Sequence, residues 1–235
     1  MVDPDGRTTY VSSDSGVITN INDNKDQVIA ATSGQIFAMN GSFSSDRDAY
    51  NSSLSKLEGS SNNLHLTSSE YGDLSRTIYQ ESGSSDYKEA GGIYGVLVNR
   101  AKADHSSVMK EASNGQVAGW NDGKKLTKAN MSSGKMAAVN RGIAMSAVNN
   151  VDYSNGAYFW DGLDLNPANC PHCGGYSKHY KAWGMTFSDA SHNRYGLPNS
   201  SSPDGLSPLE TTGVQGKTTF TRFTNPGASW YIRGK

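Results

Sequence analysis

The sequence has almost no net charge and no long apolar run. Its 235 residues include 21 basic and 22 acidic side chains, and no cluster of lysine and arginine stands out. Because nucleic-acid-binding domains carry a basic face, the composition argues against a nucleic-acid partner. A membrane-spanning helix needs about 20 apolar residues, and no stretch approaches that length. We therefore expect neither nucleic acid nor a membrane span.

Cysteine is scarce, with Cys170 and Cys173 in the stretch NCPHCGG. A C-x-x-C pair can form a structural zinc site with two histidines, here His179 and His192. A disulfide within a loop, or two plain loop cysteines, are the alternatives. The sequence also contains no H-E-x-x-H, so a zinc-dependent amidase or peptidase is a weaker hypothesis. We expect no metal and no cofactor in the chemistry.

The chain is long enough for one large domain with a small appendage. Residues 1–65 contain β-branched runs broken by Ser-Gly turns, a pattern of short strands. Residues 44–63 are nearly all serine, asparagine and charged residues, which indicates a loop or linker. We therefore predict a mainly α, α+β fold, with a β-containing N-terminal segment and linker at 1–65 and a catalytic domain at 66–235.

A helix is predicted to begin near residue 67 and to end near Glu81. Thr67 and Glu70 fit a capping box, and apolar residues recur from Tyr71 through Leu74 to Ile78. Residues seven positions apart lie nearly in line on a helix, so Glu81 continues the apolar face. The SGSS stretch that follows is expected to end the helix.

Two more helices and two late strands complete the outline. Residues 90–101 have helical periodicity although they contain Gly91, Gly92 and Gly95, which suggests close approach of a neighbouring backbone. A third helix is expected over residues 132–149. The stretches TTFTRF and SWYIRG are predicted strands.

Glu81 is the first candidate for catalysis. A carboxylate at the edge of an apolar face is partly removed from water, and desolvation favours the protonated form of a carboxyl group. A general acid near neutral pH needs such a group. An ordinary last-turn glutamate that points into solvent is the alternative that the periodicity leaves open.

The stretch TIYQESG followed by EAGGIYGVLVNRA resembles the helix–loop–helix signature of cell-wall hydrolases of the spore-cortex-lytic type. The QESG segment is also similar to the Gln-Glu-Ser motif of lytic transglycosylases with a lysozyme-like fold. In both families this glutamate is the catalytic acid. The resemblance therefore implies a lysozyme-like helical domain with Glu81 as proton donor. Tyr79 and Asn99, which belong to the matching segment, are assigned to substrate binding.

The stretch NGAYFWDGLDLNP is the next candidate, because aromatic rings beside carboxylates suit sugar binding. The resemblance likewise implies an aromatic segment along the glycan groove. We assign Tyr158 and Trp160 to substrate binding and expect Phe159 to be core. Asp161 is the first choice for a second catalytic carboxylate, although a turn role in its DG pair is equally consistent. The other candidates for that carboxylate are Asp86, Glu89 and Asp164.

The predicted function is cleavage of the peptidoglycan glycan strand between N-acetylmuramic acid and N-acetylglucosamine. A lytic transglycosylase acting on the same bond and a non-catalytic wall-binding module are the alternatives. The start, MVDPDGRTTY, lacks the features of a secretory signal. We therefore expect a protein made in the cytoplasm, or a piece of a longer chain, that acts in the periplasm or cell wall. The resemblance also implies an antibacterial effector, with a secretion-system carrier and an immunity protein as partners, or alternatively a phage lysin.

Overall fold

The structure is a computed structural model, and it describes residues 6–115, 117–162, 180, 183–201 and 209–224. The described residues form an α+β, mainly α, fold, which confirms the predicted class. The predicted strand SWYIRG lies outside the described residues, as do Cys170, Cys173, His179 and Asp164. No described helix is long and apolar enough to cross a membrane.

The N-terminal segment begins with a three-stranded sheet, in which β1 pairs antiparallel with β2 and parallel with β3. The strands are β1 (Thr8–Ser12), β2 (Ile18–Ile21) and β3 (Gln27–Ala31). Two helices follow, α1 (Ser33–Ser45) and α2 (Arg47–Glu58). The strand pattern expected up to residue 43 is therefore wrong beyond β3, and the prediction of a loop or linker over residues 44–63 is wrong for residues 47–58.

Local signals explain why these two helices form in a serine-rich stretch. Thr32 and Gln35 make a capping box at the start of α1, and the Asp46 side chain caps α2. Tyr50 and Leu54, four residues apart, place one face of α2 in a small hydrophobic cluster with Tyr10 of β1. The burial of these few apolar residues stabilises the helices, although most residues of the stretch are polar.

The helical part contains two long helices joined by a short loop and a third that packs across them. These are α3 (Ser68–Glu81), α4 (Tyr87–Ala103) and α8 (Gly134–Asn149). The short helices α5 (Val108–Ala112), α6 (Gly119–Gly123) and α7 (Lys128–Met131) lie between α4 and α8 in the chain. The predicted Thr67–Glu70 capping box and the helix end at Glu81 are both confirmed.

The glycines of α4 allow α8 to approach closely, as their presence in a helical pattern suggested. A Cβ atom on Gly142 of α8 would lie 2.2 Å from the carbonyl oxygen of Tyr87. A Cβ atom on Gly91 would lie 3.0 Å from the carbonyl oxygen of Gly142. The first distance excludes a side chain on α8, and a Cβ atom on Gly91 would also lie only 2.7 Å from the Tyr153 ring, so glycine is required on both helices.

A second sheet follows the helices, in the order β4–β7–β6–β5. Its strands are β4 (Phe159–Asp161), β5 (Met185–Thr186), β6 (Leu209–Gln215) and β7 (Thr218–Phe223). Strand β7 confirms the prediction for TTFTRF. Phe220 of β7 is buried against α4, where a Cβ atom on Gly92 would lie 2.4 Å from its ring.

The N-terminal sheet and the helices share one hydrophobic core. Val11 and Val28 of the sheet belong to the same buried cluster as Leu74 of α3 and Ile143 of α8. The stretch after α2 also runs along β3, where the Leu64 amide donates to the carbonyl oxygen of Val28 at 3.1 Å. The described residues on both sides of the predicted boundary at 65 therefore pack together.

Candidate active site

Glu81 is the last residue of α3 and is half-buried. The apolar face of α3, with Leu74 and Ile78 fully buried, fixes the direction in which this last turn points. Ser82 then leaves the helix in an extended conformation, while its amide still donates to the carbonyl oxygen of Ile78. The Glu81 carboxylate therefore lies where the core meets the surface.

Two N–H groups hold the Glu81 carboxylate. The backbone amide of Gly119 in α6 donates to Oε1 at 2.5 Å, and the indole Nε1 of Trp160 donates to Oε2 at 3.0 Å. Gly119 has no room for a side chain, because a Cβ atom there would lie 2.7 Å from the Thr77 carbonyl oxygen and 2.9 Å from Glu81 Oε1. A glycine at this position lets the backbone reach the carboxylate.

Glu81 opens into a cleft of about 380 Å³, within the size range of ligand pockets. Its lining comes from three segments of the chain and includes carboxylates, an aromatic ring and glycine backbone, among them Glu81, Gly83, Gly119, Asp122, Trp160 and Asp161. Asp161 is only 4% exposed although it borders the cleft. The cleft thus brings together three carboxylates, those of Glu81, Asp122 and Asp161, and an indole ring.

A buried arginine lies behind this cleft. Arg100 of α4 is 6% exposed, and its Nε donates to the carbonyl oxygen of Tyr158 at 2.6 Å. Its guanidinium carbon lies 5.1 Å from the centre of the Trp160 ring, a cation–π distance. Burial lowers the pKa of Arg100 to about 10, and nearby carboxylates oppose that shift, first those of Glu111 and Asp104 and then those of Glu81 and Asp161. The arginine remains charged at neutral pH and supplies positive potential to both carboxylates.

Glu89 has a structural position rather than a place in the cleft. It is fully buried in α4 and accepts hydrogen bonds from the Gly83 amide at 2.9 Å, from the Thr218 hydroxyl at 2.6 Å and from the Ser84 hydroxyl. The Lys217 amide also donates to it at 3.3 Å. Glu89 therefore ties the loop after Glu81 to the β6–β7 turn.

The structure brings together three of the six residues predicted for the site, Glu81, Trp160 and Asp161. The predicted substrate contacts of the other three are not supported by their positions, because none of them is among the residues that line the cleft. The Asn99 amide group donates to Asp152 at 3.0 Å and to the Ala157 carbonyl oxygen at 3.1 Å, so it holds the turn before β4.

The two remaining tyrosines pack beside the cleft. The Tyr79 ring lies under Lys135, with Nζ 4.3 Å from the ring centre. Tyr158 pairs through its amide with the Thr221 carbonyl oxygen at 2.9 Å, and its side chain packs against the cluster around Phe159. Phe159 itself is buried, as expected.

No cluster of three metal-ligating side chains occurs within the described ranges. The proposed cysteine partners Cys170, Cys173 and His179 fall outside those ranges. His192 is described, and its Nδ1 lies 3.3 Å from the Thr211 carbonyl oxygen of β6. The zinc and disulfide interpretations of the cysteine pair therefore stay open.

Comparisons of the chain with protein-family models, with curated proteins and with solved structures found no match.

Proposed function

We propose that this protein cleaves the glycan strand of peptidoglycan, with Glu81 as the proton donor. The observation that carries the proposal is the placement of Glu81 at the end of α3, fixed by two N–H donors in a cleft that also contains Asp161. The resemblance of residues 77–101 to lysozyme-like wall hydrolases supports the same reaction and the same glutamate.

The contacts of Glu81 are compatible with proton donation. A carboxyl group has about four lone-pair positions on its two oxygens, and the two N–H donors take only two. A proton on Glu81 can therefore face the cleft while the donors keep the group in place. It would pass to the glycosidic oxygen as the bond to the leaving sugar breaks.

Asp161 is the candidate for the second carboxylate of the reaction. It would stabilise the developing positive charge on the sugar, attack it directly, or activate water. The Trp160 ring borders the same space and offers an apolar face to a sugar.

The test is mass spectrometry of the soluble fragments from purified peptidoglycan treated with wild-type protein or with Glu81→Gln. New reducing ends from the wild type alone would support a muramidase or glucosaminidase. Anhydro-muramic ends would support a lytic transglycosylase. Full activity of Glu81→Gln, or no cut glycan from the wild type, would refute the proposal.

A non-catalytic wall-binding module is the second candidate, and one observation favours it. Both oxygens of Glu81 already accept hydrogen bonds within the protein, as expected of a structural carboxylate. This module would pull down with peptidoglycan and release no fragments. A pull-down assay beside the digestion separates the two functions.

We also propose, from the resemblance alone, that the activity is directed at other bacteria and is countered by an immunity protein. Expression in the bacterial periplasm should then lyse the host, while expression in the cytoplasm should be harmless. Glu81→Gln in the periplasm is the control for general export stress. Equal harmlessness of the wild type in both compartments would count against this role.

A further inference from the structure

A second cavity lies on the other side of the loop that follows Glu81. It has a volume of about 300 Å³ and is lined by residues of the loop, of α8 and of the β1–β2 turn, including Asp14, Ser15, Ser85, Tyr87, Gly134 and Arg141. The loop thus borders both spaces, because Gly83 lines the cleft and Ser85 lines this second cavity.

Arg141 is the unusual residue of this cavity. Its guanidinium carbon stacks 4.1 Å from the centre of the Tyr87 ring. Its Nε is fully buried without a hydrogen-bond partner, and Arg141 forms no ion pair with any other described residue. The burial of this donor costs free energy, and the rest of the guanidinium, which forms no hydrogen bond with a described residue, belongs to a side chain that is only partly buried and lines the cavity. The planar guanidinium is suited to a carboxylate.

The cavity also contains a negative charge. Asp14 accepts a hydrogen bond from the Ser33 amide at 2.7 Å and does not pair with Arg141. A strongly anionic ligand such as a phosphate would be repelled by this carboxylate. A ligand that carries both a carboxylate and an ammonium group would satisfy Arg141 and Asp14 together.

The position of Asp14 follows from close packing of the β1–β2 turn on α8. Gly16 has a left-handed backbone (φ 72°), and a Cβ atom there would lie 1.8 Å from the Ala137 carbonyl oxygen. The Asn140 side chain donates to the Gly16 carbonyl oxygen at 3.3 Å. The N-terminal sheet is therefore fixed against α8 and supplies one wall of the cavity.

We propose that this cavity binds the free end of the peptidoglycan stem peptide, with Arg141 on a carboxylate and Asp14 on the amino group of its diamino acid. The proposal rests on the proposed function, since the peptide hangs from the glycan that Glu81 would cut. Five residues separate Glu81 from Tyr87, so their Cα atoms lie at most about 22 Å apart. A stem of three to five residues spans roughly 10–18 Å by the same measure, so one muropeptide can occupy both spaces.

The first test is calorimetric titration with the free stem tripeptide, L-Ala–γ-D-Glu–diaminopimelate, which contains no bond for a glycosidase to cut. We expect Arg141→Met to weaken binding about tenfold or more, because a hydrogen bond to a charged group is lost. Lys88→Met is the matched control, since Lys88 is exposed and adjacent to Tyr87 but does not line the cavity. It should bind like the wild type.

Three outcomes of the titration would overturn the proposal. One is the absence of binding to the wild type at millimolar peptide, and another is equal affinity of wild type and Arg141→Met. The third is an equal loss in Arg141→Met and Lys88→Met, which would indicate general charge attraction. Arg141→Lys, which keeps the charge without the planar fork, serves as a second variant and should retain part of the affinity.

The second test links the cavity to cleavage. The preference of the wild type for peptide-bearing over peptide-free glycan, measured as the ratio of kcat/KM values, should fall about tenfold in Arg141→Met. An unchanged ratio would overturn the proposal, because any fall in kcat/KM would then affect both glycans equally and would reflect general damage to the enzyme. Absence of cleavage of either glycan would instead refute the proposed function, and the titration would still decide whether the cavity binds peptide.

Discussion

Replacing Glu81 by glutamine should destabilise the protein, because both oxygens of the carboxylate accept hydrogen bonds. Gly119 donates to Oε1 and Trp160 donates to Oε2. Glutamine offers one oxygen and one NH₂ group. Whichever way the amide is turned, its NH₂ group faces an N–H donor. One hydrogen bond is lost, and two donors face each other in a partly buried position.

The expected cost follows from the kind of hydrogen bond that is lost. A bond to a charged group contributes about 1.5–3 kcal/mol, and an unpaired buried donor costs about 1–3 kcal/mol. Because Glu81 is only half-buried, water can satisfy part of the displaced NH₂ group. We therefore expect Glu81→Gln to lower the free energy of unfolding by about 2 kcal/mol, or the Tm by about 4–8 °C in a chain of this length.

Urea denaturation of four proteins measures this effect: wild type, Glu81→Gln, Trp160→Phe and the double variant. Trp160→Phe removes the indole N–H, so the glutamine NH₂ no longer faces a donor there. In the Trp160→Phe background, Glu81→Gln should therefore lower the free energy of unfolding by about 1 kcal/mol less than it does in the wild type. A coupling of this size is typical of residues in contact. Glu70→Gln is the matched control on the same helix, since glutamine serves equally in a capping box.

Two results would refute this reasoning. One is that Glu81→Gln lowers the free energy of unfolding by no more than Glu70→Gln does. The other is that Glu81→Gln lowers it equally in the wild type and in the Trp160→Phe background. Either result would mean that the two N–H contacts do not fix the carboxylate. The measurement also matters for the activity assay, because lost activity in Glu81→Gln is evidence about a proton only at temperatures where the variant is folded.

Three further predictions concern the surroundings of the cleft. Gly119→Ala should lower the free energy of unfolding, measured in urea, by about 1–3 kcal/mol, because a Cβ atom at this position has no room. Gly115→Ala is the control and should be nearly neutral, because a Cβ atom there meets nothing within 4 Å. Equal losses of stability in the two variants would refute the close approach of Gly119 to Glu81. Glu89→Gln should lower the free energy of unfolding by about 2 kcal/mol, and Glu89→Ala should lower it by at least about 3 kcal/mol, because alanine leaves buried donors unpaired. An alanine variant as stable as the wild type would contradict the role of Glu89 in holding the loop. Burial alone would raise the pKa of Asp152, but its hydrogen bonds outweigh burial and lower the pKa below the ordinary 3.8. The ionised Asp152 therefore stabilises the fold above pH 3.8, and this stabilisation is lost as the pH falls through the lowered pKa. The urea midpoint of Asp152→Asn should accordingly fall less between pH 6 and pH 2.5 than that of the wild type.

Features of the fold that depend on neighbouring residues were predictable from the sequence. The capping box of Thr67 and Glu70 and the helix end at Glu81 need only a few adjacent side chains. The same kind of signal is present at Thr32 and Gln35, but the β-branched and aromatic residues around it favour strands, so the sequence does not predict α1. Composition was a poorer guide there than the cap.

Contacts between distant segments were not predictable in this way. Gly119 and Trp160 lie 38 and 79 residues beyond Glu81, and no periodicity relates such positions. The prediction that Trp160 binds substrate rests on its aromatic neighbours and on the family resemblance. Gly119 carries no side-chain chemistry that a motif could reveal, and only the close approach of its backbone to Glu81 identifies it.

Asn99 lies outside the cleft and supports the segment that leads to it. Its amide group fixes the turn from Asp152 to Ala157, and that turn leads directly into β4. The neighbouring Arg100 holds the Tyr158 carbonyl oxygen at the start of the same strand. The Asn-Arg pair therefore sets the position from which Trp160 reaches Glu81.

The loop of residues 82–86 borders both the cleft and the second cavity, and two side chains outside the cleft hold it in place. Glu89 fixes its first half through the Gly83 amide, and the Lys135 ammonium donates to the Ser82 carbonyl oxygen at 2.7 Å. Both anchors lie outside the cleft, so the loop keeps its shape when the cleft is empty. A loop held in advance loses little conformational freedom on binding, which favours one fixed distance between Glu81 and Arg141. A substrate that spans this distance would be bound at both ends, and a shorter one at only one end.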